Sequence, residues 1–461
     1  MPKLSPSKVS ERLKRGEISK GAALDLFLSY VKNSKKEAER LDSIKFINQL
    51  EIVDEKFNKV FEEFMISDLN YEISVISAEI IIKNFFEKKV DSIRWVLNHY
   101  SDPYQLSGVL RALYLHRPRF LREFLLEKMD NFVLGHIQKV RHLHKSFFKG
   151  LVEKYNALFE SKKLEEFTTE HLMDILINFE TVIFISVYYE QVSDLGVLFK
   201  GGYVVELEMR HSPAGVERLS EIKGIFNFTQ LEGLFIKFAY FKDLDGIENF
   251  TKLKVLNLAQ NELKEIKYIN KLKNLEVLSL LDSKLSEIPN LKGLNKLKHL
   301  NFTLNNIEEI KGLDHLKNLE LLILSFNKIK EIKGLDDLKN LKRLDLAGNN
   351  IANIHGLENL INLENLDLTE NKIKKIRGLE RLKKLKELRL DNNEIEVLEN
   401  IEKLEVLKYL TISANMISKV DGLEERLSPI VISMKENPLS DNLITYIRKL
   451  TYKKKKIVLI F

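Results

Sequence analysis

From about residue 230 onward, apolar and polar positions recur with one fixed spacing. Asparagine falls at 261, 305, 327, 349, 371, 393, 415 and 437, always in steps of 22 or a multiple of it. Around each lies the same frame: leucine or a relative eight, five and three residues before, an aliphatic residue two and five after, and commonly a glycine at seven. Leu341, Leu344, Leu346, Asn349, Ile351, Ile354 and Gly356 show the frame complete, and Leu363, Leu366, Leu368, Asn371, Ile373, Ile376 and Gly378 repeat it. Alternation around the central leucines predicts a short strand with its leucines on one face. Neighbouring strands are expected to stack in parallel at ~4.8 Å. The asparagine is expected to turn inward, where its amide can pair with backbone groups of adjacent turns and leave no buried loop group orphaned. The glycine permits an unusual φ where the chain swings back. One unit cannot bury its own apolar face, so the core must come from stacking.

The frame runs through about nine full units, with asparagine-equivalent positions from Ala239 to Asn415. Asn261, Asn305, Asn327, Asn349, Asn371, Asn393 and Asn415 form the expected structural ladder. Ala239 and Ser283 depart from it; serine can still hydrogen-bond and alanine cannot. Upstream, strand-like Tyr203 to Met209 is followed by an insertion around Pro213, and the frame resumes at Leu219, Ile222 and Gly224. Downstream, Met434, Asn437 and Leu439 keep part of it, and Asp441 to Lys449 reads as a closing helix. Atypical units at both ends are what capping predicts.

The consensus L-x-x-L-x-L-x-x-N-x-I-x-x-I-x-G-L resembles the SDS22-like class of leucine-rich repeats over a little under half the chain. That class contains a regulatory subunit of protein phosphatase 1, splicing and dynein-associated proteins, and secreted bacterial internalins. The resemblance implies an α/β leucine-rich-repeat solenoid, curved, with parallel strands on the concave face and 3-10 segments on the convex face. It names no partner.

Residues 1–200 read as an all-α helical domain and residues 201–461 as the leucine-rich-repeat domain with its two caps. In the first, Asn33–Ser34, Ser67–Asp68 and Ser101–Asp102 recur 34 residues apart, and Leu41, Val75 and Val109 align, as do Ile44, Ala78 and Ala112. Each polar pair is expected to cap a helix amino terminus, and the aligned apolar residues to pack one helix pair on the next. The pattern is similar to degenerate HEAT or armadillo-type helical repeats. Residues from about 133 to 200 fit no repeat.

Composition narrows the chemistry. Of 461 residues, 44% are hydrophobic and 30% charged, which is globular rather than disordered. A formal net charge of +6, from 73 basic and 67 acidic side chains, calls for no polyanionic partner. There is no cysteine, which excludes disulfides, thiolate metal sites and cysteine nucleophiles and fits a cytoplasmic location. The amino-terminal segment has no signal-like apolar run. Ile175 to Tyr189, broken by Glu180, is shorter than the ~20 residues that cross a bilayer and reads as a buried helix or strand.

No phosphate-binding glycine loop, H-E-x-x-H or G-x-S-x-G is present, and Gly201–Gly202 reads as a turn before a strand. His136, His142 and His144 lie among Lys139, Arg141, Lys145 and Lys149. No carboxylate stands between Asp130 and Glu153, and on a helix His142 and His144 point ~200° apart, so a solvated basic face is read rather than a metal site. Lys453 to Lys456 before Ile457 to Phe461 reads as a basic turn followed by a strand or strap over the last repeat, not as a membrane anchor. No cofactor, metal, catalytic residue or small-molecule substrate is expected, and neither nucleic acid nor membrane is.

The frame predicts that residues six, four, two and one before each ladder position face outward on the concave strands. The early units place there Phe235, Phe238, Val255, Val277, Leu281, Leu304, Leu321, Ile323 and Phe326. Later units place Arg343, Asp345, Asp367, Glu370, Glu387, Arg389 and Asp391, with Tyr409 beyond. Leu304, Leu321, Ile323 and Phe326 come from adjacent strands and should form one patch, larger than incidental exposure. That patch reads as a surface for a protein partner or as a docking site for the amino-terminal helices. The later carboxylates read as an ordinary solvated face or as a rim that steers a basic partner. The expected function is therefore a non-catalytic protein-binding scaffold. A phosphatase-regulatory role, which rests on the repeat class alone, and an enzyme site hidden in the helical domain are the alternatives.

Overall fold

The computed structural model describes residues 4–460 except 51, 53–54, 101, 131–152, 156, 160–162, 189–193, 212–215, 264–265 and 455–456. His136, His142 and His144, with their basic neighbours, and Pro213 lie outside the described residues. The chain divides into two compact units. The first holds Met1–Tyr188, Phe199–Tyr203 and Lys223–Phe228; the second holds Tyr189–Leu198, Val204–Ile222 and Thr229–Phe461.

The first unit is helical up to Tyr188. Lys20–Asn33 packs on Glu37–Asn48, Asn58–Ser67 on Tyr71–Asn84, and Val90–His99 on Pro103–His116. The second helices of these hairpins stack in order, and Thr169–Tyr188 closes the stack against Pro103–His116. Ile44, Ala78 and Ala112 are buried along that seam. A Cβ added at Gly108 would lie 2.4 Å from Val75 Cγ1, so the small residue sets how closely these two helices approach. The apolar stretch from Ile175 is the middle of the helix Thr169–Tyr188, with Leu172, Leu176, Phe179, Val182 and Ile185 buried.

Two of the three recurring polar pairs do a different job from the expected one. Ser34 and Asp68 are the residues that end the helices Lys20–Asn33 and Asn58–Ser67. Each turns its side chain back onto the connecting turn: Ser34 Oγ accepts from Lys36 N at 3.2 Å and Asp68 Oδ1 from Asn70 N at 2.9 Å. Only Asp102 is a true amino-terminal cap, accepting from Tyr104 N and Gln105 N at 2.9 and 3.3 Å. Short polar side chains satisfy either task, so the sequence pair alone does not say which end of the helix it marks.

The second unit is a solenoid on one 13-stranded sheet. Residues 194–200, placed by the sequence at the end of the helical domain, form the strand Asp194–Lys200 instead. Gly201 and Gly202, both at positive φ, join it to Tyr203–Arg210 in a two-residue turn, which requires an antiparallel hairpin. The turn thus follows a strand as well as preceding one. From Tyr203–Arg210 onward every neighbour is parallel and in register, so that Leu207, Leu234, Leu256, Leu278, Leu300, Leu322, Leu344, Leu366, Leu388, Leu410 and Ile432 form one buried column.

On the far side the chain returns through 3-10 segments in the outer units, such as Ile247–Asn249, Ile269–Lys271, Ile401–Lys403 and Leu423–Glu425, and through turns in the central ones. The frame glycines sit at the entry to this return. A Cβ at Gly356 would lie 2.2 Å from Ile332 O of the preceding unit, so the close approach as well as the φ of +78° demands glycine.

Each described ladder asparagine makes one repeating set of bonds. Asn349 Nδ2 donates to Leu324 O, Leu346 O and Ala347 O at 3.0, 2.9 and 3.2 Å, and its Oδ1 accepts from Ile329 N at 3.0 Å. Ser283 reaches Leu258 O at 3.3 Å, and Asn437 extends the ladder one unit beyond Asn415.

Two further columns on the same period were not singled out in the sequence. Asn274, Asn318, Asn340 and Asn362 each donate to a carbonyl of the preceding unit at 2.7–2.8 Å. Glu232, Lys254, Glu276, Lys298, Glu320, Lys342, Glu364 and Lys386 alternate in sign along one edge, pairing at 2.6–2.8 Å. Being exposed, these pairs contribute little each.

The closing helix runs to Lys454, not Lys449, so Lys453 and Lys454 belong to its last turn; Lys455 and Lys456 lie outside the described residues. The strand Ile457–Ile460 then pairs in parallel with Ile430–Ser433. No described helix is long and apolar enough to cross a membrane.

Candidate binding face

Strand alternation divides each unit into a core side and an outer side, and register lines up the outer side chains in columns. One column runs Val255, Val277, His299, Leu321, Arg343, Asn365, Glu387, Tyr409 and Val431. Its neighbour runs Phe235, Asn257, Ser279, Asn301, Ile323, Asp345, Asp367, Arg389 and Thr411. None of these is buried. The position two before the ladder behaves differently: Leu281 is half-buried, but Ala259 and Ser325 are buried.

The position immediately before the ladder has a feature the sequence did not disclose. Phe238, Gln260, Asp282, Leu304, Phe326, Gly348, Glu370, Asn392, Ala414 and Glu436 all have left-handed backbone, with φ between 50° and 66°. Nine of these are not glycine, and for such residues the left-handed region costs roughly 1–2 kcal/mol. The turn aims their side chains out of the solenoid: Leu304 is 50% exposed, Phe326 47% and Phe238 39%.

The outer face of the early units carries Asn257, Ser279, His299 and Asn301 and becomes apolar around Leu304, Leu321, Ile323 and Phe326. Leu321 and Ile323 are half-buried on one strand, flanked by the exposed Leu304 and Phe326. Gly348 makes room for the Phe326 ring, since a Cβ there would lie 2.5 Å from its Cδ1. Phe238 is less free than the frame suggests, because its ring stacks on His211 at 5.5 Å. Tyr409 stands apart, lining a groove with Val406, Val431 and Val458.

The later units carry charges that are already engaged. Arg389 donates from Nε to Glu387 Oε1 at 2.7 Å and lies 3.7 Å from Asp367, while Asn365 donates to Glu387 at 2.8 Å. The carboxylates also do structural work. Asp345 and Asp367 accept from Ala347 N and Thr369 N at 3.1 and 3.0 Å, as Asn257 and Asn301 do in their own units. Asp391 accepts from Ser413 N at 2.7 Å and from the Thr411 hydroxyl. Burial, with the neighbouring Asp367 adding to it, holds the Asp345 carboxyl above the usual carboxylate range against the opposing Ala347 N–H. Asparagine at the same column in earlier units was the available signal that this side chain serves the strand end. Arg343, Asn365, Asp367, Glu387 and Arg389 enclose a concavity of only about 70 Å³.

A family model described as leucine-rich repeats in two copies matches residues 317–359, 339–381 and 361–402. Residues 317–402 are leucine-rich repeats. Among solved structures, an internalin (inlF) of Listeria monocytogenes is 22% identical and matches with a TM-score of 0.47 over 60% of this chain and 86% of its own. An internalin C2 of the same organism is 31% identical, with a TM-score of 0.36 over 40% and 78%. A leucine-rich-repeat protein of Leptospira interrogans is 24% identical, with a TM-score of 0.35 over 52% and 80%. Comparison with curated proteins finds no match. The repeats beyond 317–402 are recognised by the same ladder, register and turn.

Proposed function

We propose that this chain is a non-catalytic scaffold that holds a protein partner against the outer, concave face of its leucine-rich repeats. The observation that carries the reading is the apolar cluster of Leu304, Leu321, Ile323 and Phe326 on adjacent strands, two of whose members are held outward by left-handed backbone. Such a cluster on a soluble surface is an interface more often than an accident. The charged strands from Arg343 to Asp391 adjoin it and orient the partner. The 22-residue unit favours the SDS22-like class, the stacked helix hairpins favour degenerate HEAT-like repeats, and the lack of cysteine favours a cytoplasmic setting.

The test is capture of partners with the unmodified chain and with I323D and F326D. Both substitutions fall on outward side chains, so circular dichroism and melting are expected to stay unchanged while the captured protein is lost. Capture of the same proteins by all three would exclude this face as the site.

A further inference from the structure

The residues immediately before the ladder share one left-handed backbone, so their side chains leave the solenoid side by side. In this column Asp282, Leu304, Phe326, Gly348 and Glu370 follow one another, each one strand step of ~4.8 Å from the last. Phe326 and Glu370 have the same φ of 56°. The glycine between them decides how they meet. A Cβ on Gly348 would lie 2.5 and 2.8 Å from Phe326 Cδ1 and Cε1, so the ring occupies the place a side chain at 348 would take. The ring therefore stands one strand step from Glu370 rather than two.

Neither group is spent on the fold. Among the described residues no other ring and no cation rests on Phe326, whereas Phe238 in the same column stacks on His211. The Glu370 side chain is exposed and makes no hydrogen bond or ion pair among the described residues. The surroundings have the same sign as Glu370. From Val255 to Ala414 the outward positions carry Asp282, Asp345, Asp367, Glu370, Glu387 and Asp391 against Arg343 and Arg389, although the whole chain has a formal net charge of +6. Arg389 is already held by Glu387 and Asp367, and Arg343 begins its strand, away from the turn at Gly348. The nearest lysines in sequence, Lys328 and Lys372, follow the buried ladder asparagines and bond to neither Phe326 nor Glu370.

We propose that the partner on this face is a polypeptide segment presenting an arginine or lysine, whose cation sits between the open face of Phe326 and the Glu370 carboxylate. The proposal rests on the concave-face reading and adds the chemistry of what is held there. An aromatic face attracts a cation within ~6 Å of its centroid, and a carboxylate pairs with one within ~4 Å. Across one strand step of ~4.8 Å a single cation meets both conditions. Apolar residues of the same segment cover Leu304, Leu321 and Ile323. The excess of carboxylates on the outward positions draws a basic segment in, and opposes nucleic acid, whose phosphates would meet like charge.

The probe is a displayed library of random peptides, selected on the full chain and sorted by whether binding is lost on I323D. The peptides lost on I323D should be enriched in arginine or lysine beside apolar residues. One such peptide is then made with its arginine exchanged for citrulline, or its lysine for norleucine, which removes the charge and keeps the length. On the unmodified chain this exchange should weaken binding roughly tenfold, and the difference should shrink as salt is added. On E370Q/F326L, which keeps an apolar side chain but removes the aromatic face and the charge, the exchange should make little difference. Neutral or acidic peptides among those lost on I323D would overturn the proposal and leave the concave face as the site. An exchange that costs nothing on the unmodified chain, or as much on E370Q/F326L, overturns it too. If no selected peptide depends on Ile323, the concave-face reading itself fails and this proposal falls with it.

Discussion

The ladder asparagines and the residues immediately before them are adjacent in sequence and obey opposite rules. At the ladder, one residue type makes the same four bonds in unit after unit, and the side chain and backbone both serve the fold. One position earlier, ten units hold the same left-handed backbone with eight different residue types. There the solenoid needs only the turn, and glycine would supply it without strain. An apolar side chain at that position is thus something the fold tolerates rather than something it requires. Packing does not explain Leu304 and Phe326, and in the proposed function they serve the binding face.

The largest expected effect lies on the ladder side of this comparison. Asn349→Ala removes an acceptor for Ile329 N and a donor shared by three carbonyls, all but that of Ala347 in buried bonds. It should destabilise by roughly 1–3 kcal/mol, the cost of leaving a buried polar group unpaired. Ser283→Ala removes only the longer contacts to Leu258 O and Leu281 O, at 3.3 and 3.4 Å, and should cost less. Equal losses in urea unfolding of the two variants would show that the ladder's bonds do not set its stability.

How legible each part was follows from the same distinction. The parallel sheet, the inward asparagines and the outward columns could be read from residues because each is tied to a residue type at a fixed step. Left-handed backbone before the ladder was not legible, since it is adopted by Phe326, Glu370 and Ala414 alike. The engagement of Asp345 and Asp367 with the backbone was hidden by their charge, which suggests a rim, although Asn257 and Asn301 occupy the same column. In the helical unit the 34-residue step located the junctions, because Ile44, Ala78 and Ala112 do share a buried seam. It mistook the role of Ser34 and Asp68 because a short polar side chain bonds equally well to a turn or to a helix start. The strand Asp194–Lys200 was missed because it pairs only through the hairpin, outside the repeating frame.

A second substitution probes the strained column. Leu304→Gly should raise stability by up to about 1 kcal/mol, since the left-handed penalty is relieved and part of that gain is lost to the greater freedom of glycine in the unfolded chain. Its exposed side chain gives up little burial in return. Partner capture should nevertheless weaken. A variant that melts lower than the parent would show that Leu304 packs for the fold, and the contrast between the two columns would fail.

The smallest effect sharpens the comparison at its charged end. Burial raises the Asp345 carboxyl above the ordinary carboxylate range, so the folded chain holds that proton more tightly than the unfolded chain does. A raised carboxylate contributes stability that is fully present below the unfolded pKa of about 3.9 and is lost as pH rises through the folded value. Asp345→Asn keeps the acceptor for Ala347 N, as Asn257 and Asn301 do in their units, and removes the charge. Its melting temperature should match the parent's near pH 3.5 and exceed it at pH 7, by less than the change at Asn349. If the variant also loses its partner, the charge is kept at the expense of stability and belongs to the binding face. If it binds unchanged, Asp345 serves only the strand end, and the partner's footprint stops on the apolar strands. A parent that out-melts the variant at pH 7 would mean that the carboxylate itself holds the turn, placing Asp345 with the ladder rather than with the face.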